Sequence, residues 1–327
     1  IKLLNLIDNT FSDEKKIFFS EHHLSHAASA FYPSPFKEAI ILTADGVGEW
    51  ATTTVAIGKN RDLEIIKEIN FPHSLGLLYS SFTYYIGFKV NSGEYKLMGL
   101  APYGNPIYAD KIKNELLSIK KDGSFWLNQK YFDYMTGLKM INEKFENIFG
   151  HKTRDPSKDK IEQFHMDIAS SIQKVTEEIL IKILKNLREE YKIENLCLAG
   201  GVALNCVANG KILREKIFKN IWIQPAAGDA GGSLGAALAY WNLYCVREKE
   251  VIKKNHDDMY GSFLGPEFND DFIEKNLNKI GAVYDKLNYK ELLDKTAKLI
   301  SEGNVIGWFQ GRMEFGPRAL GNRSIIA

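Results

Sequence analysis

The sequence predicts an α/β fold, and two features of its second half carry this prediction. Apolar residues recur at spacings of three and four between Ile161 and Leu187, which indicates one buried face of a long amphipathic helix. Beyond it, residues 195–199 and 220–224 have the apolar character of short strands. A glycine-rich loop and a helical stretch follow each of them. In folds that repeat strand, loop and helix in this way, the ligand-binding loops lie at the carboxyl ends of the strands.

The first half alternates in a similar manner. Residues 22–31 are compatible with a helix that stops before Pro33, and residues 39–44 form an apolar strand that ends at Asp45 and Gly46. We expect the other elements to be a strand-like run at 16–20, a hairpin of strands 52–57 and 63–69, a helix at 75–86 and a glycine-punctuated loop at 91–104. Residues 105–155 are mixed and polar, which indicates an insertion or a peripheral segment.

The second half continues with helices that start at Leu204 and at Ser233, the latter reaching about Tyr244, then a helix at 292–300 and a strand at 304–309. This pattern predicts a first lobe, a second lobe, a charged connector and the opening of a further domain, at residues 1–155, 156–245, 246–286 and 287–327 respectively.

Bulk composition excludes several classes of function. The 327 residues contain 42 Lys and Arg against 41 Asp and Glu, so a basic surface for nucleic acid is not expected. Three cysteines without a CxxC pair disfavour a disulfide framework or a thiolate zinc site and fit a reducing cytoplasm. No apolar run approaches the ~20 residues that span a bilayer, and residues 1–4 do not resemble a signal peptide. Because the chain starts at Ile1 without Met and ends abruptly at Ala327, we expect it to be a fragment.

A metal site is the first functional prediction. His22 and His26 stand four residues apart in a helical stretch, so both imidazoles can project from one face, as they do in many divalent-metal sites. The residue after His22 is His23 rather than Glu, so the general base of zinc proteases is missing. Asp45, at the end of a strand, can complete a set of two histidines and one carboxylate, which suits ferrous iron or another divalent ion. The alternative is a pair of packed histidines and an ordinary Asp-Gly turn.

The glycine-rich loops suggest a phosphate or nucleoside site. Gly200 and Gly201 follow a strand, and their lack of side chains lets backbone N–H groups approach an anion closely. Asp229, among small residues of the next strand–helix loop, can reach a metal or a metal-bound phosphate. The alternative is that both loops are tight turns, with Asp229 as a helix cap.

Several segments resemble a known family when they are taken together. They are similar, in the right order, to the carbamoyltransferases of antibiotic and nodulation-factor biosynthesis, and residues 307–324 resemble the start of that family's C-terminal domain. The matching segments are HHLSHAASAF (22–31), LTADGVGEW (42–50), SGEYKLMGLAPYG (92–104), GGVALN (200–205) and GDAGGSLGAA (228–237).

The resemblance implies a two-lobed actin-like core of the sugar-kinase and heat-shock-chaperone type, related to the tRNA threonylcarbamoyl transferase. It implies that His22, His26, Asp45 and Asp229 bind iron that meets the phosphate of a nucleotide. Carbamoyl phosphate and ATP would give carbamoyl adenylate in the C-terminal domain, and the actin-like domain would transfer the carbamoyl group to a hydroxyl of a small-molecule or sugar acceptor. The family's N-terminal β-hairpin and most of its adenylate-forming domain are not found here, so we expect this chain to be incomplete for the full reaction.

On this interpretation, further residues become candidates for ligand contacts. Guanidinium groups suit carbamoyl phosphate or nucleotide phosphate. Tyr95 and Lys96 are candidates for substrate contact, with a structural role for their loop as the alternative. His73 is a possible general base, but no catalytic residue can be assigned. The expected nucleotide contacts are Gly46, Gly200, Gly201, Asn205 and Gly228, and the expected phosphate contacts are Arg312, Arg318 and Arg323.

Two other functions stay open at this point. One is threonylcarbamoyl transfer to tRNA, which the neutral charge and the carbamoyltransferase-like ending disfavour. The other is a noncatalytic nucleotide-binding regulator, because a fold does not fix a function. Neither the acceptor nor the oligomeric state can be predicted from the sequence.

Overall fold

The computed structural model of the protein describes residues 17–245 and 256–327. The chain divides into two compact units, Ile1–His256 and Asp257–Ala327. The strands of the first unit are β1 (Glu38–Ala44), β2 (Ala51–Lys59), β3 (Asp62–Asn70), β4 (Leu117–Ile119), β5 (Phe125–Leu127), β6 (Asn195–Ala199) and β7 (Asn220–Ile223). Its helices are α1 (His22–Phe31), α2 (Leu75–Tyr85), α3 (Glu94–Leu100), α4 (Ala109–Glu115), α5 (Glu143–Phe149), α6 (Gln163–Tyr191), α7 (Cys206–Arg214) and α8 (Asp229–Tyr240).

Within the described residues, the first unit is built on a five-stranded sheet with the order β3-β2-β1-β6-β7. The first three strands form an antiparallel meander, whereas β1, β6 and β7 run parallel. Thr43 of β1 is in register with Ala199 of β6, so both strands end at the same edge of the sheet. Asp45 and the pair Gly200–Gly201 therefore leave the sheet side by side, as expected for ligand-binding loops in an α/β fold.

Helices cover both faces of this sheet, which confirms the predicted α/β class. Side chains of β1 alternate between two cores: Ile41 packs with Phe31 of α1, while Ile40 and Leu42 join the larger cluster formed with α2 and α6. Because β1 is buried on both faces, its sequence is a continuous apolar run rather than an alternating one. The helix α6 supplies to the larger cluster the apolar stripe that its periodicity predicts.

One helix pair places the functional candidates. The helix α8 lies against α1, and its buried residues Gly231, Gly235 and Ala239 recur at every fourth position. A Cβ atom added at Gly235 would lie 1.8 Å from the carbonyl oxygen of Ser25 in α1. Only glycine permits this approach, and it brings the start of α8 close to the first two turns of α1.

The lobe boundary predicted at residue 155 does not divide the central sheet, and the predicted domain limits stay a prediction. Strands β1 and β6, which lie on opposite sides of that position in the sequence, are hydrogen-bonded neighbours in one sheet. A strand pairing over such a separation depends on tertiary packing that a local pattern does not contain. A two-lobed, actin-like architecture stays a prediction.

Two segments differ from their predicted conformation. Residues 91–104 are mostly helical, since α3 and a 3₁₀ turn at Ala101–Tyr103 occupy most of the expected loop. Residues 105–155 are not peripheral, because they contribute buried apolar side chains to the larger core. These include Ile112 of α4, Phe125 of β5, and Phe145 and Phe149 of α5. Of the strand-like run at 16–20, residues 17–20 have no regular structure, and Lys16 lies outside the described residues.

The second unit contains α9 (Asp270–Lys279), α10 (Tyr289–Ser301), β8 (Ile306–Phe309) and β9 (Arg323–Ile326), with β8 and β9 paired antiparallel. The helix α10 and the strand β8 were predicted. The helix α9 was not predicted and lies inside the segment 246–286, whose role as a connector stays a prediction. Within the described residues of both units, every helix is too short or too polar to traverse a lipid bilayer.

The contact between α1 and α8 gives a stability prediction. Gly235→Ala should lower the free energy of unfolding by about 1–3 kcal/mol or more, because the added methyl group overlaps the Ser25 carbonyl and forces the helices apart. Gly232→Ala in the same helix is the matched control, since its Cβ meets nothing within 4 Å. It should leave stability unchanged or raise it by up to about 1 kcal/mol. Urea unfolding followed by circular dichroism measures both, and equal effects would contradict the close approach.

Candidate metal centre and neighbouring loops

The helix α1 brings two imidazoles together. His22 is its first residue and His26 lies one turn later, so both rings project from the same face, with their Nε2 atoms 3.0 Å apart. The His26 side chain is fully buried, whereas His22 is 29% exposed. Small, buried residues of α1, including Ala27, Ala28 and Ala30, let the helix lie close to the sheet.

Asp45 reaches this pair from the end of β1. Its Oδ2 atom lies 2.9 Å from the Nε2 atom of His22 and 2.9 Å from that of His26. Its Oδ1 atom accepts hydrogen bonds from the backbone N–H groups of Gly46, at 2.8 Å, and Gly201, at 3.1 Å. One oxygen is therefore held by the loops, and the other points at the two imidazoles.

Asp229 adds a second carboxylate from the first residue of α8. Its Oδ1 atom lies 3.6 Å from the Nε2 atoms of both His22 and His26. Ligand atoms of all four residues lie within 4.8 Å of one another. The structure thus brings together the four residues that the sequence selects as metal ligands.

This arrangement fits a divalent cation. Two imidazole nitrogens converge on one carboxylate oxygen. Neighbouring ligands of a six-coordinate ion with ~2.1 Å bonds stand about 3 Å apart, close to the separations among His22, His26 and Asp45. Two histidines and a carboxylate on one face of an ion form the set that non-haem ferrous enzymes use.

The two imidazoles favour the ionised form of Asp45, which is the form that can bind a cation. Burial disfavours the ionised form of Asp45, but hydrogen bonds from His22 and His26 outweigh it and hold the pKa of Asp45 well below its usual range. The hydrogen bond to Asp45 is also the largest cause that raises the pKa of His22 above the ordinary 6.5. The neighbouring His23, buried between α1 and the sheet, has its pKa lowered to about 4 by desolvation, so it is neutral.

The local structure explains why two glycines follow β6. Gly200 has a φ of +85°, and a Cβ at Gly201 would lie 2.8 Å from the Oδ1 atom of Asp45. The pair therefore lets the backbone approach Asp45 and orient its carboxylate. Contact of these glycines, and of Gly46 and Gly228, with a nucleotide stays a prediction. Gly228 itself directly precedes α8, whose start has no side-chain cap.

Asn205 is engaged within the fold. Its side chain caps α7 by accepting a hydrogen bond from the backbone N–H of Ala208, at 3.0 Å. It also exchanges two hydrogen bonds with the amide of Gln173, which in turn accepts one from the hydroxyl of Tyr79. This buried network joins α2, α6 and α7 and accounts for Asn205 without a nucleotide.

The other candidates of the first unit lie outside the cluster of ligands. Tyr95 and Lys96 are exposed on the helix α3 instead of lying in the loop predicted for them. His73 uses its Nδ1 atom to accept a hydrogen bond from the backbone N–H of Leu127, and its ring packs edge-on against Trp126. A neutral His73 with Nδ1 as acceptor carries its proton on Nε2, which makes it a hydrogen-bond donor rather than a base.

In the second unit, Arg312 and Arg323 make contacts with nearby residues of the same segment. Arg312 donates to the carbonyl of Gly265 and lies 3.5 Å from the Glu267 carboxylate. Arg323 donates to the carbonyls of Gly316 and Arg318, and its Nε atom lies 3.6 Å from the buried Glu314. These contacts stabilise the segment around β8 and β9. Binding of phosphate by Arg312, Arg318 and Arg323 stays a prediction.

Sequence reasoning missed Glu49. This residue lies in the loop between β1 and β2, and its two carboxylate oxygens accept from the backbone N–H of His22 at 3.1 and 3.2 Å. One signal was available: the residue before α1 is Glu21, which is not among the strong helix caps, so the start of α1 needed a partner from elsewhere.

Two protein-family models match the chain. One is described as the carbamoyltransferase N-terminus and matches residues 1–238, and the other is described as the carbamoyltransferase C-terminus and matches residues 297–327. Together they include both predicted domains of the resemblance, in the expected order.

Curated proteins similar to the chain include the "Uncharacterized protein sll1178" of Synechocystis sp., which is 58% identical over 99% of this chain and 52% of the relative. The nodulation protein NolNO of Sinorhizobium fredii is 37% identical over 96% of this chain and 44% of the relative. The chain thus spans about half the length of these relatives. A crystal structure of full-length HypF in the phosphate- and nucleotide-bound form covers 70% of this chain and 44% of HypF, with a TM-score of 0.41 and 14% identity. That similarity is too weak to define the fold.

The cluster gives a prediction on metal binding. His26→Gln should weaken binding of Co²⁺, an oxygen-stable substitute for Fe²⁺, by at least about 10-fold, because it removes the most buried of the four ligands. Isothermal titration calorimetry under nitrogen gives the affinity. His151→Gln is the matched control, because this exposed histidine stacks on Phe164 and is not part of the cluster. If both variants bind Co²⁺ as the wild type does, the cluster is not the metal site.

Metal affinity should also depend on pH. A cation binds the unprotonated imidazole, and hydrogen bonding to Asp45 raises the pKa of His22 above 6.5, so protons compete at higher pH than for an ordinary histidine. Affinity for Co²⁺ should therefore fall as the pH is lowered from about 8 to about 6. Calorimetric titrations at a series of pH values test this, and an affinity that does not change over the series would contradict it.

Proposed function

The chain belongs to the carbamoyltransferase family, and on this premise we propose that it carries the transfer site of an O-carbamoyltransferase. The reaction moves the carbamoyl group of carbamoyl phosphate to a hydroxyl of a small-molecule or sugar acceptor. It passes through carbamoyl adenylate, whose formation with ATP releases phosphate and pyrophosphate. The observation that supports the proposal best is the convergence of His22, His26, Asp45 and Asp229 beside the Gly200–Gly201 loop.

The four residues would hold a divalent ion, for which Fe²⁺ is the candidate that the two-histidine, one-carboxylate set favours. Such an ion supplies a Lewis acid and a template for the adenylate phosphate. The protein keeps two of these metal-binding atoms in place before a cation binds, because His26 is buried and Asp45 is anchored through its second oxygen. Preorganisation of this kind lowers the cost of binding.

The start of α8 is suited to the phosphate of a nucleotide. No side chain caps this helix, and the helix dipole favours negative charge at its start. The N–H of Gly231 donates to the carbonyl of Gly228, so an anion would be bound by the N–H groups of Asp229 and Ala230. Asp229 occupies the same turn with a side chain that is 82% exposed, so the cluster is open on this side. We therefore expect the adenylate phosphate to enter along the α8 side.

Transfer itself requires the acceptor oxygen to attack the carbamoyl carbon. The new carbon–oxygen bond forms as the bond between that carbon and the phosphate oxygen breaks, AMP leaves, and the hydroxyl proton passes to a base or to water. Backbone N–H groups and the start of α8 stabilise negative charge on the departing phosphate. No side chain is assigned as the base.

The transfer step can be tested directly. The chain, freshly prepared carbamoyl adenylate, a ferrous salt and a panel of sugars and other alcohols should give carbamoylated acceptor and AMP, detected by mass spectrometry. Asp45→Asn should slow product formation by at least about 10- to 100-fold, because its neutral amide holds a cation poorly. Asp110→Asn is the control, since this carboxylate is 88% exposed on α4 and lies outside the cluster.

Each outcome has a distinct meaning. Acceptor carbamoylation that depends on Asp45 supports the proposal. Formation of carbamoylated product at the same rate with Asp45→Asn, or no product above the protein-free control, contradicts it. Modification of tRNA in a parallel reaction with threonylcarbamoyl adenylate would identify the related tRNA-modifying activity instead.

A further inference from the structure

The first turn of α1 is held by a residue that is distant in the sequence. The backbone N–H of His22 donates to both carboxylate oxygens of Glu49, at 3.1 and 3.2 Å. Glu21 occupies the cap position of α1, but its side chain makes no capping hydrogen bond. Without Glu49, the N–H of the residue that begins this helix would have no partner among the residues that the structure describes.

The loop between β1 and β2 supplies the candidate ligand Asp45 at one end and Glu49 at the other. We call the hydrogen bonds between Glu49 and the His22 N–H the clamp. Asp45 begins the loop after β1 and Glu49 lies just before β2, with a backbone hydrogen bond from Asp45 to Thr52 closing its base. The loop therefore fixes Asp45 through its own backbone and fixes His22 through Glu49. Movement of the helix start relative to Asp45 requires that this clamp opens.

The two histidines differ in their need for the clamp. His26 lies one turn inside α1, is fully buried and is held by packing against the sheet. His22 is the first helical residue and is 29% exposed, so fraying of the first turn would displace its imidazole before that of His26. A carboxylate at a helix start also interacts favourably with the helix dipole.

We propose that Glu49 is a positioning residue that acts on the ligand cluster through His22. It does not belong to the set of ligand atoms that converge, but it keeps the first turn of α1 formed and the His22 imidazole aligned with Asp45. This inference rests on the proposed metal site, and it does not depend on carbamoyl transfer or on the identity of the acceptor.

The test compares two substitutions at one position. Glu49→Gln keeps an oxygen that can accept from the His22 N–H, whereas Glu49→Ala removes it. Calorimetry with Co²⁺ should give an affinity about 10-fold weaker for Glu49→Ala and within about 3-fold of the wild type for Glu49→Gln. Glu21→Ala is the matched control, because it removes a carboxylate next to the same helix start that makes no capping bond.

A double-mutant cycle assigns the effect to His22. Glu49→Ala should weaken Co²⁺ binding further in a His26→Gln background but not in a His22→Gln background, where the residue it positions is already lost. Hydrogen exchange of the metal-free protein provides a readout without any metal. Amides in the first turn of α1 should exchange faster in Glu49→Ala than in Glu49→Gln, with α8 unchanged.

The outcomes separate this inference from the proposed function. If the wild type binds no Co²⁺, the metal site itself is wrong. If the wild type binds and Glu49→Ala binds equally well, or if the first turn of α1 is equally protected in both variants, Glu49 has no positioning role. Equal weakening by Glu49→Ala, Glu49→Gln and Glu21→Ala would show that net charge near the helix, rather than the clamp, is responsible.

Discussion

The candidate site depends on Asp45, because its two carboxylate oxygens make different contacts. Oδ1 of Asp45 accepts backbone hydrogen bonds from the β1 loop and from the β6 loop, and Oδ2 faces the imidazoles of α1. These contacts are possible because β1 and β6 are parallel neighbours whose ends meet at one edge. The geometry of the sheet thus determines where the carboxylate points, and the helices α1 and α8 are packed around that point.

The sequence predicts best those elements whose pattern is local. The helix α1 and the strand β1 are found where the periodicity and apolar runs place them, and the spacing of His22 and His26 gives their common face. The helix α8 begins at Asp229, four residues before its predicted start. Gly231 and Gly232 lower helix propensity, but packing of the small residues of α8 against α1 outweighs that penalty. Helix propensity alone therefore places the start of α8 too late in the sequence.

Other features could not be predicted because they are made by contacts between distant segments. The pairing of β1 with β6 crosses the boundary expected at residue 155, and the hydrogen bond from His22 to Glu49 spans 27 positions. Glycines were a further source of ambiguity. A glycine can be needed because a ligand approaches the backbone or because another part of the protein does. At Gly201 the structure shows the second case, since a Cβ atom there would lie 2.8 Å from the Oδ1 atom of Asp45. Conversely, Asn205 was predicted to contact a nucleotide, whereas in the structure its side chain belongs to a buried hydrogen-bond network with Gln173.

Exposure across the cluster is graded, and this grading bears on how the site would work. His26 is completely buried, Asp45 and His22 are 15% and 29% exposed, and Asp229 is 82% exposed. The buried members are held by several contacts each, so they form a rigid base that a cation would meet without rearrangement. Asp229 is 3.6 Å from both imidazoles and is the member with most freedom to move. Adjustment to a cation and its phosphate partner should therefore occur at Asp229, on the side where the uncapped start of α8 can also receive the anion.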